Sequence, residues 1–176
     1  DVAYESLLRR DRQGYHGQVA RWLEDSAGER VSEYWSAIAR HYELGGAEGR
    51  AATYLRRSGD ALLQVSAFRD AAQAYERALA LLPSGSEAER AAVLQGLGKA
   101  RTRLGDYETA SDHFERALVL AEKTEDAERQ VMALCGLGEA AWWPGAYDAA
   151  AHHLERALPL ARASGYRQGV ALVLWN

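Results

Sequence analysis

The sequence predicts an all-α fold, a solenoid of antiparallel helix pairs stacked one on the next. Three observations predict it. First, one phrase recurs: "YERALALL" at 75–82, "FERALVLA" at 114–121 and "LERALPLA" at 154–161. Second, its alanines, Ala78, Ala117 and Ala157, stand 39 and 40 residues apart, and so do Ala71, Ala110 and Ala150. Third, the same steps separate a small residue upstream (Gly59, Gly98, Gly138) and an aromatic after a turn (Phe68, Tyr107, Tyr147). Positions locked in register over three copies mark a unit that buries its apolar stripe only by stacking on its neighbours.

Each unit reads as helix, tight turn, helix. Leu94, Leu97 and Arg101 are spaced by three and four, the period of a helical face. Gly105 ends that helix, because glycine accepts the left-handed backbone of a helix C-terminus. Asp106 is placed to cap the next helix, where Ala110, Phe114, Ala117 and Leu118 share one face. Gly98 opposite Ala110 and Ala117 predicts a close approach of two backbones, at the lower end of ~8–10 Å. "SEAE" at 86–89 reads as a capping box opening another helix. Carried along the chain, the pattern predicts helices near 2–9, 12–25, 32–44, 48–65, 68–82, 87–104, 107–123, 126–143, 147–163 and 166–175.

Composition supports this architecture and narrows the function. Of 176 residues, 48% are hydrophobic, enough for one domain or a short repeat array. The formal net charge of −4 argues against a broad nucleic-acid footprint. Cys135 is the only cysteine, so no intrachain disulfide is possible; a reducing, cytoplasmic setting fits. No apolar run approaches the ~20 residues of a membrane span, and no membrane partner is expected.

These residues resemble the tetratricopeptide repeat (TPR) family. "LQGLGKARTRLGDYETASDHFERAL" at 94–118 follows its Leu-Gly, Ala, aromatic, Ala pattern. Leu134, Leu137, Gly138, Tyr147, Ala150, Leu154 and Ala157 form the next copy; Leu55, Gly59, Phe68, Ala71, Tyr75, Ala78 and Pro83 form the one before. The period is about six residues longer than the 34 of the family consensus, which longer helices absorb. The resemblance implies a right-handed superhelix whose first helices line a concave groove. In residues 32–46, Trp35, Ile38, Ala39 and Tyr42 stand where a first helix would place them. The helix at 48–65 fits either as its partner or as the first helix of the next unit. The expected organisation is a helical lead-in over 1–31 and a repeat array over 32–176, truncated within a further repeat.

"VAYESLLRRDRQGYHGQVARWLE" at 2–24 is similar to a segment of large bacterial signal-transduction ATPases. There it follows an NTPase and winged-helix region and leads into a TPR array; the parents are of adenylate or guanylate cyclase or transcription-regulator type. The resemblance implies that this chain is a piece of such a protein. The phosphate-binding G-x-x-x-x-G-K-[ST] does not occur, so nucleotide chemistry is expected elsewhere.

Candidate chemistry is sparse, and no enzyme activity or cofactor is expected. His113 and His153 share one repeat position, a structural echo, and adjacent His152 and His153 diverge by about 100° on a helix. No metal site is expected. Cys135 reads as a small packing residue, and "GLGKA" at 96–100 as packing rather than a phosphate turn. Arg9, Arg10, Arg12 and Arg21 read as a solvated or interdomain face. "AWWPGAY" at 141–147 is not dictated by the repeat. Either one indole packs under the Pro144 turn and the other is half exposed, or at least one contacts a ligand, a role tryptophan favours at interfaces.

The expected function is a non-catalytic protein–protein interaction module or scaffold. Its partner is a protein or peptide, or another domain of the same parent. The alternative is a small-molecule effector sensor. By resemblance the groove candidates are Arg56, Asp60, Lys99, Arg103, Glu139, Trp142 and Trp143. The chaperone-tail type of TPR grips a terminal carboxylate with lysine and asparagine; here Lys99 and Arg103 correspond in part, and the asparagines are absent. At the C-terminal end, Val170, Val173 and Leu174 are expected to face the preceding unit. Leu172 and Trp175 have less cover, which suggests self-association there.

Overall fold

A computed structural model describes residues 8–175. It is all-α among those residues: α1 (Arg9–Ala27), a 3-10 segment (Gly28–Tyr34), α2 (Trp35–Leu44), α3 (Glu48–Gln64), α4 (Phe68–Leu81), α5 (Glu87–Arg103), α6 (Tyr107–Lys123), α7 (Ala127–Trp142), α8 (Tyr147–Ala163) and α9 (Arg167–Trp175). Each helix packs on the next, and the first helices α3, α5 and α7 also touch one another in sequence, the contact pattern of a solenoid.

From α3 onward every helix agrees with the expected span to within a residue at each end. At the N-terminal side two expectations fail. One helix begins at Arg9 and runs unbroken through residues 10–12, so the predicted break is not there. Most of the predicted helix at 2–9 lies outside the described residues, and Leu8 is extended. The helix predicted from residue 32 starts at Trp35, because Gly28–Tyr34 winds as the tighter 3-10 form.

The turns repeat as regularly as the helices. After α5, Asp106 N–H donates to Arg101 O (3.0 Å) and Gly105 N–H to Thr102 O (3.1 Å). This is the Schellman pair of bonds that closes a helix on a left-handed residue. Equivalent pairs close α2, α3, α6, α7 and α8, with left-handed Gly46, Ser66, Glu125, Gly145 and Gly165. Helix N-termini behave differently. Asp106 and Ser86 occupy cap positions but make no side-chain cap bond. Asp106 instead reaches Arg101 (3.4 Å), and Glu89 of the expected capping box binds Arg56 (2.7 Å). Both carboxylates thus meet an arginine side chain rather than a helix N-terminus. Asp126 is the exception, accepting from Arg129 N–H at 3.0 Å.

Pro83 and Pro159 act oppositely. Before Pro83, Leu82 is forced extended and α4 stops. Pro159 lies inside α8, which continues four residues past it.

The core is built from rings set into glycine slots. A Cβ on Gly98 would lie 2.8–2.9 Å from the Phe114 ring, and one on Gly136 2.4–2.6 Å from it. Phe114 on α6 is therefore clasped between α5 of its own unit and α7 of the next. Tyr75 on α4 is held likewise by Gly59 (2.8 Å) and Gly96 (2.4 Å). The close contact expected between Gly98 and the backbone at Ala110 and Ala117 is thus a helix-to-ring contact, with both alanines buried beside it. In the third unit Leu154 takes the ring's position, 3.1 Å from a Cβ on Gly138. These contacts also fix the register. Gly59 and Tyr75 pair α3 with α4, so α2 is a second helix following α1, and the first-helix reading of residues 32–46 is corrected. Ala20 on α1 and Ala39 on α2, both fully buried, stand at the Gly59 and Ala78 positions.

At the C-terminal end Val173 is buried and Val170 packs on the core, as expected. Leu174 is 68% exposed, against expectation. Its counterparts Leu55, Leu94 and Leu134 are buried, each in a unit that has its second helix; α9 has none among the described residues.

Candidate functional site

The first helix of each unit contributes the same positions to one groove. With α1 included, Arg21, Asp60, Lys99 and Glu139 form one row, and Gly17, Arg56, Gln95, Cys135 and Trp175 another, in steps of 39 or 40. Successive clefts lie along these rows. One of 330 Å³ is lined by Arg56, Asp60, Gln95, Lys99, Arg129 and Met132, among others. The next, of 420 Å³, shares Lys99 and Met132 and adds Arg103, Cys135, Glu139 and Trp175. A third, of 260 Å³, shares Glu139 and Trp175 and is walled by Trp142 and Trp143. The structure thus places all seven sequence-predicted candidates along one continuous path.

Their states differ sharply. Arg56 Nε donates to Glu89 (2.7 Å) and its Nη1 to Asp60 (2.7 Å). Burial opposes the Arg56 charge, but these two carboxylates outweigh it and hold the guanidinium above its ordinary value. Asp60 also accepts from the Tyr75 hydroxyl (2.7 Å), so the groove network is tied to the ring in the glycine slot. Burial, and then this bond, push the Tyr75 phenol upward. Arg103 pairs with Glu139 across α5 and α7 at 2.9 Å. Arg129 pairs with Asp126 at 3.1 Å. Lys99 is exposed and makes no ion pair among the described residues.

Both candidate indoles are about half exposed, Trp142 at 52% and Trp143 at 56%. Trp142 meets Tyr147 edge-on with ring centroids 4.8 Å apart. Neither is packed away under Pro144. Burial pushes the Cys135 thiol up to about 11, with Lys99 pulling the other way, so at neutral pH it is a thiol filling space. Among the described residues no group of three or more His, Cys, Asp or Glu is placed to hold a metal ion, and no helix is long and apolar enough to cross a membrane.

Sequence reasoning missed Gln95 and Met132 as groove residues. Gln95 is buried and its amide donates to Arg129 O at 2.7 Å, bridging α5 to α7. For Gln95 the signal was available: it sits 39 residues from Arg56, on a row that already contained a candidate. A further cleft of 490 Å³ at the α1 end brings Arg10, Arg21 and Arg50 together beside Gly14, Gly17 and Tyr42. Arg9 and Arg12 of the N-terminal basic run are not among its lining residues.

Residues 89–163, which span most of α5 through α8, match the family model of the tetratricopeptide repeat. The match supports the TPR family. Two crystal structures share the fold. MamA aligns with a TM-score of 0.56 at 17% identity, over 89% of this chain and 95% of that one. A second structure, of MamA protein, gives 0.54 at 17%, over 90% and 93%. At such identity the likeness concerns architecture alone. No curated protein matches the chain in sequence.

Proposed function

We propose that this TPR array is a non-catalytic interaction module that holds a segment of a protein partner along the groove of its first helices. The observation that carries the reading is the path itself: three clefts joined through shared Lys99, Met132, Glu139 and Trp175, with an unpaired cation and half-exposed indoles on one side of a rigid stack. A scaffold needs this and no more: fixed helices, convergent side chains and a surface that water leaves readily. The resemblance of residues 2–24 supports a setting in a larger cytoplasmic signalling ATPase or transcription regulator, with residues 1–31 leading into the array. The alternative, an effector sensor, rests on the indole-walled cleft. At 260 Å³ that cleft lies under the ~300–1,000 Å³ usual for small-molecule sites, so the segment reading is preferred.

The test is site-specific photo-crosslinking in the native host. A benzophenone amino acid at Lys99 faces the groove; one at exposed Glu115 lies on a second helix, away from the groove-lining residues. One protein captured from Lys99 and not from Glu115 is expected. Equal capture from both positions overturns the groove as the partner site.

A further inference from the structure

The charged residues lining the groove do not balance. Across the clefts from α1 to α9 the lining acids are Asp60 and Glu139, and each is engaged: Asp60 by Arg56 and Tyr75, Glu139 by Arg103. Of the lining cations, Arg56, Arg103 and Arg129 are likewise paired, and Arg50 donates to the Tyr42 hydroxyl (2.8 Å) with Glu24 3.9 Å away. Glu24 itself accepts from Tyr42. Three cations remain: Arg10 and Arg21 at the α1 end and Lys99 midway, none with an ion-pair partner among the described residues. Asp25, one turn beyond Arg21 on α1, makes no ion pair with it. Beyond Lys99 the lining turns aromatic, with Trp142, Trp143 and Trp175 around one cleft. The groove is therefore graded, from uncompensated positive charge to exposed indole.

We propose that the groove takes an extended acidic–aromatic segment of a protein partner, its carboxylates meeting Arg10, Arg21 and Lys99 and a bulky apolar side chain filling the cleft between Trp142, Trp143 and Trp175. The inference deepens the interaction reading above and rests on it. Exposed guanidinium and ammonium groups without partners gain from an incoming carboxylate without first breaking a pair. Guanidinium geometry suits carboxylates at the α1 end, and indoles suit an apolar anchor at the other. The spacing follows from the stack. First helices of neighbouring units lie roughly 10 Å apart, and an extended chain advances ~3.3 Å per residue. Arg21 and Lys99 are two units apart, which sets acidic residues about six positions apart. The apolar residue then lies about three positions beyond the second acid.

The probe is a fluorescein-labelled synthetic peptide with glutamates at that spacing and Leu-Trp-Leu at the far end, read by anisotropy on the full 176-residue chain. Binding that falls with added salt is expected. Arg21→Glu and Lys99→Glu are each expected to weaken it by at least ~10-fold, with little effect on a peptide whose glutamates are replaced by glutamine. Trp142→Ala with Trp175→Ala is expected to weaken the peptide but not one lacking Leu-Trp-Leu. Arg21 and Lys99 are exposed, so circular dichroism of their variants is expected to match the parent. Failure of the peptide to bind, or binding indifferent to both charge reversals, overturns the inference. Displacement of the peptide by a single-stranded oligonucleotide at lower concentration also overturns it, in favour of a general polyanion surface. If the peptide fails while Lys99 still crosslinks one protein, the interaction reading survives and this inference alone is lost.

Discussion

Leu94 and Leu174 stand at the same repeat position, one in the middle of the array and one at its C-terminal end. The first is buried and the second is 68% exposed. The N-terminal end repeats the contrast. Tyr15 and Val19 on α1 correspond to Val93 and Leu97 on α5, and to Ala133 and Leu137 on α7; the end pair is exposed and the middle pairs are buried. Burial in this molecule thus follows from having helices packed on both sides, more than from the residue. Packing is closest where a ring is clasped by two units, and burial thins toward α1 and α9. The groove shows part of the same gradient inversely: Arg10 and Arg21, unpaired among the described residues, lie at the α1 end and the exposed indoles at the other, with Lys99 alone midway.

The sharpest way to break this comparison is to empty the middle and the end alike. Phe114→Ala removes a buried ring from between Gly98 and Gly136 and is expected to cost ~3–5 kcal/mol in urea unfolding. Leu174→Ala is expected to cost within ~0.5 kcal/mol, the range of surface substitutions. Comparable losses at both sites would show that the end helix is packed as tightly as the centre.

Filling a slot is the converse. Gly98→Leu and Gly136→Ala drive atoms into the Phe114 ring, and overpacking of this kind costs ~1–3 kcal/mol. Gly138→Ala meets Leu154 at 3.1 Å, where a flexible side chain can give, and is expected to cost less. A double-mutant cycle sharpens the point: Gly136→Ala should lose most of its penalty in a Phe114→Leu background. Additive effects would mean that the glycine matters for its helix rather than for the ring.

Protonation distinguishes the regions again. His113 and His153, at one repeat position in α6 and α8, are pushed below the ordinary 6.5, chiefly by burial and then by a neighbouring charge, Arg116 or His152. His41 is pushed down by burial and by His16, whose Nδ1 lies 2.9 Å from its own. A depressed folded value means that the unfolded chain binds more protons, so the stabilisation is present above about pH 6.5 and is lost as pH falls through the folded values. The urea midpoint is expected to drop between about pH 7.5 and 5.5, and His113→Gln with His153→Gln to flatten that slope. An unchanged slope in the double variant would move the effect to the α1–α2 contact.

What the sequence made legible was whatever recurred in register: the helix pairs from α3 onward, the left-handed residue at Gly105, and the rows that supply the groove candidates. The second glycine of each slot reads from the sequence as packing, but the side chain it faces does not. Gly96-Leu97-Gly98 recurs as Gly136-Leu137-Gly138, a doublet that one helix needs when large side chains arrive from two units, Tyr75 and Phe114 at the first and Phe114 and Leu154 at the second. Caps at Asp106 and Ser86 are expected from the sequence and do not form; Asp106 and Glu89 meet arginines instead, and such pairing appears only after folding. The merging of 9–27 into one helix was missed for a related reason. Its register shows only once Gly17, Ala20 and Arg21 are set against Arg56, Gly59 and Asp60, and residues 1–31 otherwise carry none of the recurring phrase. Which groove charges are spent, Arg56 and Arg103, and which are left, Lys99 and Arg21, likewise depends on partners on other helices, or on their absence.

The smallest expected effect concerns the turns. Left-handed residues recur about every 20 positions, at Gly46, Ser66, Gly85, Gly105, Glu125, Gly145 and Gly165; of these only Ser66 (φ 60°) and Glu125 (φ 54°) carry side chains. A side chain in that region crowds the following carbonyl, at roughly 1–2 kcal/mol, while glycine gives back ~0.5–1 kcal/mol through its freer unfolded chain. Ser66→Gly and Glu125→Gly are therefore each expected to stabilise by about 0.5–1 kcal/mol, and Gly105→Ala to destabilise by a similar amount. The two sites differ in place: Ser66 joins the helices of one unit, α3 to α4, whereas Glu125 joins α6 to the next unit's α7. Equal gains would mean that both kinds of turn are set by local backbone strain. A gain at Ser66 alone would mean that Glu125 is held in place by something its side chain contributes at the junction between units, and that the junctions are not interchangeable with the turns inside them.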